Sequence, residues 1–143
     1  MTLVCVLTAC EDESATAPRF DGVIAHESGL MAPAPIGFDH RVTPDGLVFQ
    51  ESGGLRSPRY VRIGYVKKRP AFLESASRSI AGGTADFEVT TLNGGSGGVE
   101  HQLMAAKSVA GGWITVTAVT QTEFGQPSFD LAWAVLEEAY LAE

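Results

Sequence analysis

This sequence predicts an α+β fold, an antiparallel β-meander or sandwich of about six to eight strands with a C-terminal α-helix packed on it. Three observations carry that reading. Apolar and polar residues alternate with a period of two through most of the chain between residues 20 and 124, the pattern of strands with one buried face. The breaks between these runs are short and rich in Gly, Pro, Asp and Ser, which suits hairpins and leaves no room for the crossover helices of a parallel sheet. Only the last segment changes period, to steps of three and four residues.

The elements follow in order. Phe20 to His26 reads as a first short strand, and Met31 to Phe38 follows as a proline-punctuated lead-in. Ile36, Phe38, His40 and Val42 alternate with Gly37, Asp39 and Arg41, predicting a half-buried strand. Thr43-Pro44-Asp45-Gly46 predicts a turn in which proline presets φ and Asp-Gly supplies a positive φ. Leu47-Val48-Phe49 returns as the partner strand, and Ser52-Gly53-Gly54 breaks the run. From Tyr60 to Val66, residues Val61, Ile63 and Tyr65 share one face and Tyr60, Arg62 and Gly64 the other. Lys67-Lys68-Arg69-Pro70 ends that strand, and residues 71–85 are open to two helical turns before Gly82-Gly83. Phe87, Val89 and Thr91 mark another strand, and Gly94 to Gly98 links it to a strand at 99–108. Ala110-Gly111-Gly112 turns the chain into Trp113 to Phe124, its stretch richest in β-branched residues. The closing helix is predicted with Ser128 as N-cap, Asp130 in the first turn, and an apolar stripe of Phe129, Ala132, Trp133, Leu136 and Tyr140.

Composition bounds the function. The 143 residues suit one domain. Seventeen acidic residues against ten basic ones give a net charge of −7, which disfavours nucleic acid and anionic membranes and suits a basic protein partner. Both cysteines, Cys5 and Cys10, precede the folded part, so no disulfide framework or cysteine metal cluster is expected there. No later apolar run approaches the ~20 residues that span a bilayer.

The search for catalysis comes back empty, and no enzyme is expected. Gly94 to Gly98 is followed by Val99-Glu100-His101 rather than the Gly-Lys-Ser/Thr of a phosphate-binding loop. His26, His40 and His101 lie in separate predicted strands without ligand spacing, so neither a metal nor a cofactor is expected. No Gly-x-Ser-x-Gly elbow is present. Glu137-Glu138 sits on a solvated helix face, far from the facing carboxylates of a glycosidase.

The N-terminus carries an address. Leu7-Thr8-Ala9-Cys10 has the pattern of a bacterial lipobox, in which small residues precede the cut and the cysteine thiol receives a diacylglycerol. This divides the chain into a residual signal segment (1–9), a lipidated Cys10 with a flexible tether (10–19), and a single globular domain (20–143). Met1 to Leu7 lacks Lys and Arg and falls short of the roughly 7–15 apolar residues of a full signal. The alternative is that residues 1–9 begin a buried strand of a cytosolic protein. Against it stands Glu11 to Pro18, acidic, small and proline-ended, the composition of a solvated tether. The expected location is the periplasm, held by lipid alone. Glu11 after the cysteine favours the outer membrane over the inner.

Recognition surfaces remain. Leu55 to Tyr60 combines Arg and Tyr, both enriched at binding hot spots, beside a Gly-Gly break. Gln121 to Pro127 presents amide and carboxylate groups between the last strand and the helix. The bland alternatives are a strand start with solvated arginines and an ordinary polar loop.

Taken in order, the lipobox, Pro35-Ile36-Gly37-Phe38, Leu55-Arg56-Ser57-Pro58, Gly94-Gly-Ser-Gly-Gly-Val-Glu100 and the Gln121-to-Trp133 stretch form one pattern. It resembles the periplasmic immunity lipoproteins of type VI secretion, specifically those paired with a peptidoglycan-cleaving muramidase effector. The resemblance implies a non-catalytic protein that inserts loops into the effector's substrate groove, in a complex expected to be 1:1. The contacts it implies are Arg56, Ser57, Tyr60, Gly95, Ser96, Gly97, Gln121, Glu123 and Gln126. The competing expectation is an envelope lipoprotein that binds a small ligand or another envelope component.

Overall fold

The computed structural model describes residues 18–54, 59–93, 99–122 and 128–142. Among these residues, ten strands form two antiparallel sheets and one helix accompanies them: β1 (Phe20–Ala25), β2 (Leu30–Pro35), β3 (Phe38–Val42), β4 (Gly46–Glu51), β5 (Tyr60–Val66), β6 (Ala76–Ile80), β7 (Gly83–Asn93), β8 (Val99–Val109), β9 (Gly112–Thr122), α1 (Asp130–Glu138) and β10 (Tyr140–Leu141). The larger sheet runs β3-β4-β5-β9-β8-β7-β6 and the smaller β1-β2-β10. The α+β reading with a C-terminal helix on antiparallel sheets holds, with ten strands rather than six to eight.

The large sheet consists of two meanders joined where β5 pairs with β9, Tyr60 opposite Val119 and Val66 opposite Trp113. Alternation places Val61 and Ile63 of β5, Leu103 and Ala105 of β8, and Ile114 and Val116 of β9 on one buried face. Leu47 and Phe49 of β4 extend it. Over this face lie α1, through Ala132, Trp133, Val135 and Leu136, and β2, through Leu30 and Ala32. Each large apolar side chain buried here contributes about 1.5–3 kcal/mol. Trp133 meets Phe87 of β7 edge to face at 5.3 Å, and the Arg78 guanidinium of β6 stacks over its other side at 4.2 Å.

The chain reaches β6 by crossing the outer face of β9, β8 and β7. Arg69 is paired with Asp86 at 2.8 Å and lies 5.9 Å over Trp113. The backbone N–H groups of Leu73 and Glu74 donate to Glu88 Oε1. This stretch therefore forms a strap followed by a strand, not helical turns: its polar side chains and backbone bind the acidic residues on the outer face of β7.

Several local expectations change for physical reasons. The lead-in at 31–38 is largely strand β2. Its prolines are tolerated because β10 pairs only with Met31 and Leu30, leaving the β2 edge open beside Pro33 and Pro35. β3 is an edge strand, so Val42 is 59% exposed despite its alternation. The turn at 43–46 forms, with the Thr43 N–H donating to the Gly46 carbonyl at 2.8 Å. Gly46, however, is absent from the positive-φ glycines; it faces Gly64 across the β4–β5 pair. A Cβ there would lie 2.7 Å from Gly64 Cα, so close approach is what demands glycine. The helix is capped by Phe129, with no side-chain cap bond, rather than by Ser128. The Phe129 ring packs against the core, and its carbonyl accepts the first intrahelical bond, from Trp133 N–H at 3.0 Å. The helix stops at Glu138, and Tyr140 leaves the predicted stripe to pair with Met31 in β10, half exposed.

Candidate functional site

Strand direction places the chain connections. β4 ends at Glu51 and β5 starts at Tyr60; β7 ends at Asn93 and β8 starts at Val99; β9 ends at Thr122. The register sets Tyr60 against Val119, Asn93 against Val99, and Val99 against Thr122. These five strand ends thus lie at one end of the large sheet, and α1 begins at that same end. Three connections far apart in sequence leave from a common edge because a meander returns every second turn to the same side.

Of the expected contact residues, Tyr60 is described: it is half-buried at the first position of β5, with Arg62 at 5.9 Å over its ring. Gln121 is placed in the terminal part of β9, opposite Glu100. Arg56, Ser57, Gly95, Ser96, Gly97, Glu123, Gln126 and the lipidation residue Cys10 lie outside the described residues.

A cavity of about 480 Å³ opens at this end, between the N-terminal turn of α1, the terminal parts of β5 and β9, and the start of the small sheet. Its floor is apolar, from Val61, Ala118, Phe129 and Ala132. Ile36, Phe38, Tyr60 and Thr120 form its walls, and Arg19, Arg59 and Asp130 stand at the rim. The size falls within the ~300–1,000 Å³ of ligand sites.

One wall is braced by an ion pair. Arg59 Nη2 donates to Glu51 Oε2 at 2.8 Å and its Nε to Oε1 at 3.3 Å. Its backbone N–H adds a bond to Oε1 at 3.1 Å. These bonds from Arg59 hold the Glu51 carboxyl below its usual value and raise the Arg59 guanidinium. The guanidinium also sits 5.5 Å over the Phe38 ring. Sequence reasoning missed this arrangement, although Glu51 and Arg59 flank the Gly-Gly break and a hairpin return brings such positions together.

Two of the three histidines make structural contacts. His26, 6% exposed, donates from Nε2 to the Thr43 carbonyl at 2.7 Å and accepts at Nδ1 from the Ser28 N–H. His101 Nδ1 lies 3.2 Å from Thr91 Oγ1, and His40 is exposed. Among the described residues no group of three or more His, Cys, Asp or Glu is placed to hold a metal. No helix among them is long and apolar enough to cross a membrane.

Comparison with known proteins identifies this architecture. The profile of the type six secretion immunity 3 domain matches residues 30–140, a range that spans β2, the whole large sheet and the helix. The immune protein Tsi3 of Pseudomonas aeruginosa is 42% identical over 135 residues, which span 94% of this chain and 91% of that protein. The chain belongs to the type six secretion immunity 3 family.

Proposed function

We propose that this immunity protein binds and blocks the substrate groove of a type VI secreted muramidase in the periplasm, sparing the producing cell and its sisters. The observation that carries the reading is that the strand ends at Glu51, Tyr60, Asn93, Val99 and Thr122 lie together at the cavity end of one sheet; Arg56, Ser57, Gly95, Ser96, Gly97, Glu123 and Gln126 fall between or just beyond these ends in the sequence. A muramidase groove presents a catalytic carboxyl and sugar-binding polar groups. A plug must hydrogen-bond these or leave them buried at ~1–3 kcal/mol each. Hydroxyl, amide and carboxyl groups on glycine-flexed connections suit that task. The net charge of −7 steers a basic effector toward the domain. Inhibition needs no chemistry from the immunity protein itself.

The anchor belongs to the same proposal. Cys10 carries lipid; of the tether expected at 10–19, Pro18 and Arg19 already line the cavity, which leaves residues 10–17 as the reach. The chain joins the fold at Pro18, which lines the cavity. Fully extended, that tether reaches at most about 28 Å, so the binding end is held close to the bilayer face.

The test asks whether a neighbouring reading frame encodes a lysozyme-like protein and mixes that protein with this one. A stable 1:1 complex in which glycan cleavage stops is the expected result. Cleavage that continues under excess immunity protein refutes the reading.

A further inference from the structure

We propose that binding is reciprocal: the cavity between α1 and the β5–β9 end receives an apolar side chain of aromatic size projecting from the effector, while the connections around it engage the effector's groove. This rests on the effector-blocking reading and adds a second contact to it.

The cavity's shape and chemistry suit such an anchor. Val61 and Ala118 form a floor that is buried to 5% exposure or less, and Phe129 closes one side. Ile36, at the outer part of the wall, keeps 55% of its surface exposed. Volume of about 480 Å³ accepts one aromatic side chain and the backbone that carries it. Aromatic anchors in desolvated pockets carry a large share of interface energy.

The other occupants fit less well. The chain's own N-terminal segment precedes Pro18 of the cavity lining, but with residues 1–9 removed as proposed, Glu11-Asp-Glu-Ser-Ala-Thr-Ala17 has no apolar side chain larger than alanine to fill an apolar floor. A second copy would bring another net charge of −7 against the first. The effector is the partner that family membership supplies, and the cavity is lined by Arg59 and Ser128, the described residues that follow 55–58 and 123–127 in the chain.

The experiment measures affinity for the muramidase identified by the preceding test, by calorimetry with wild type, Thr120→Trp, Ile36→Arg and Val42→Trp. Thr120→Trp fills the cavity from its wall. Ile36→Arg puts charge on the apolar rim at an exposed position where folding is insensitive, which keeps the test decisive if the tryptophan variant unfolds. Val42→Trp alters an exposed residue at the opposite end. Binding at least tenfold weaker for the first two, with unchanged melting temperature and with Val42→Trp at wild-type affinity, is the expected result. Affinities within twofold of wild type for Thr120→Trp and Ile36→Arg overturn the reciprocal anchor while leaving the blocking function intact. A wild-type protein that fails to bind the effector refutes the blocking reading itself. Loss of a dimer on Thr120→Trp, seen by sedimentation, assigns the cavity to a second copy and also overturns the anchor.

Discussion

Replacing Lys107 with methionine tests how the helix is held to the sheet. Lys107 Nζ donates to the carbonyl of Ala139 at 2.7 Å and of Glu137 at 3.2 Å. It satisfies two of the acceptors that any helix leaves open at its C-terminus. No basic residue of the helix itself serves its last turn. Methionine keeps the apolar stem and removes the donors. Hydrogen bonds from a charged donor are worth about 1.5–3 kcal/mol, and a cation at a helix C-terminus about 0.3–1 kcal/mol. The ammonium is only half-buried, which brings the expected loss to about 2 kcal/mol, or about 6–10 °C in melting temperature at this chain length. The pH dependence has a definite sign. Burial lowers the Lys107 pKa from 10.5, ahead of the opposing fields of Glu137 and Glu138. Within the window below 10.5 the unfolded chain therefore holds more protons than the folded one, and stability rises with pH. The gap between wild type and Lys107→Met should widen as pH rises through that window. Thermal melts at a series of pH values read it. A variant within about 0.5 kcal/mol of wild type at neutral pH, or a gap that narrows on alkalinisation, refutes the reasoning.

Three further perturbations address the frame. Gly46→Ala drives a Cβ into the backbone of Ile63 and Gly64, and neither can move without shifting the β4–β5 pair. About 2–3 kcal/mol of stability should be lost, read as a lower urea midpoint at unchanged slope. Trp133→Ala removes the edge-to-face contact with Phe87 and the Arg78 stack, at a cost of about 3–5 kcal/mol; a loss below about 1 kcal/mol would falsify the central place of that side chain. Glu51→Gln weakens the brace beside the cavity. Because the folded carboxyl lies below 4.5, its stabilisation is present above that value and lost as pH falls through the folded value. With Arg59 58% exposed, the wild-type advantage should stay under about 1 kcal/mol at neutral pH and vanish in acid, as urea titrations at both pH values will show.

Much of the fold was legible because burial writes itself into periodicity. Tyr60–Val66 emerged with its boundaries and both faces, since a central strand flanked by β4 and β9 must bury every second residue. The long strands around Phe87, at 99–108 and from Trp113 were legible for the same reason. Where neighbours rather than alternation decide, the sequence was silent. Val42 alternates like a core strand yet lies on an edge. Residues 76–80 are strand because β7 offers an unpaired side, and nothing in Ala-Ser-Arg-Ser-Ile announces that. Tyr140 matched the helical step, but β2 claimed it. At the candidate site, residue type singled out Tyr60, which lines the cavity. The other walls, Ile36 and Phe38 from one segment and Thr120 from another, stand more than eighty residues apart in sequence, and only the folding of the sheets brings them together.

The distribution of polar ties explains how one end can serve recognition. Among the described residues, the side-chain bonds that fasten one element to another gather away from the cavity. His26 holds the Thr43 turn, Tyr65 holds the Gly111 turn at 2.7 Å, Glu137 receives the Ala81 N–H at 3.0 Å, Lys107 closes the helix, and Arg69 pins the strap to Asp86. The cavity end has the exposed Glu51–Arg59 pair and the Thr91–His101 contact. Among the described residues, the polar ties are thus concentrated at the opposite end. None of the residues that make them comes from the connections at 55–58, 94–98 and 123–127. Under the proposed function, an immunity protein must follow changes in its effector without losing its own fold, and substitutions in those connections leave these ties intact because the residues proposed to specify the partner are not the ones that make them.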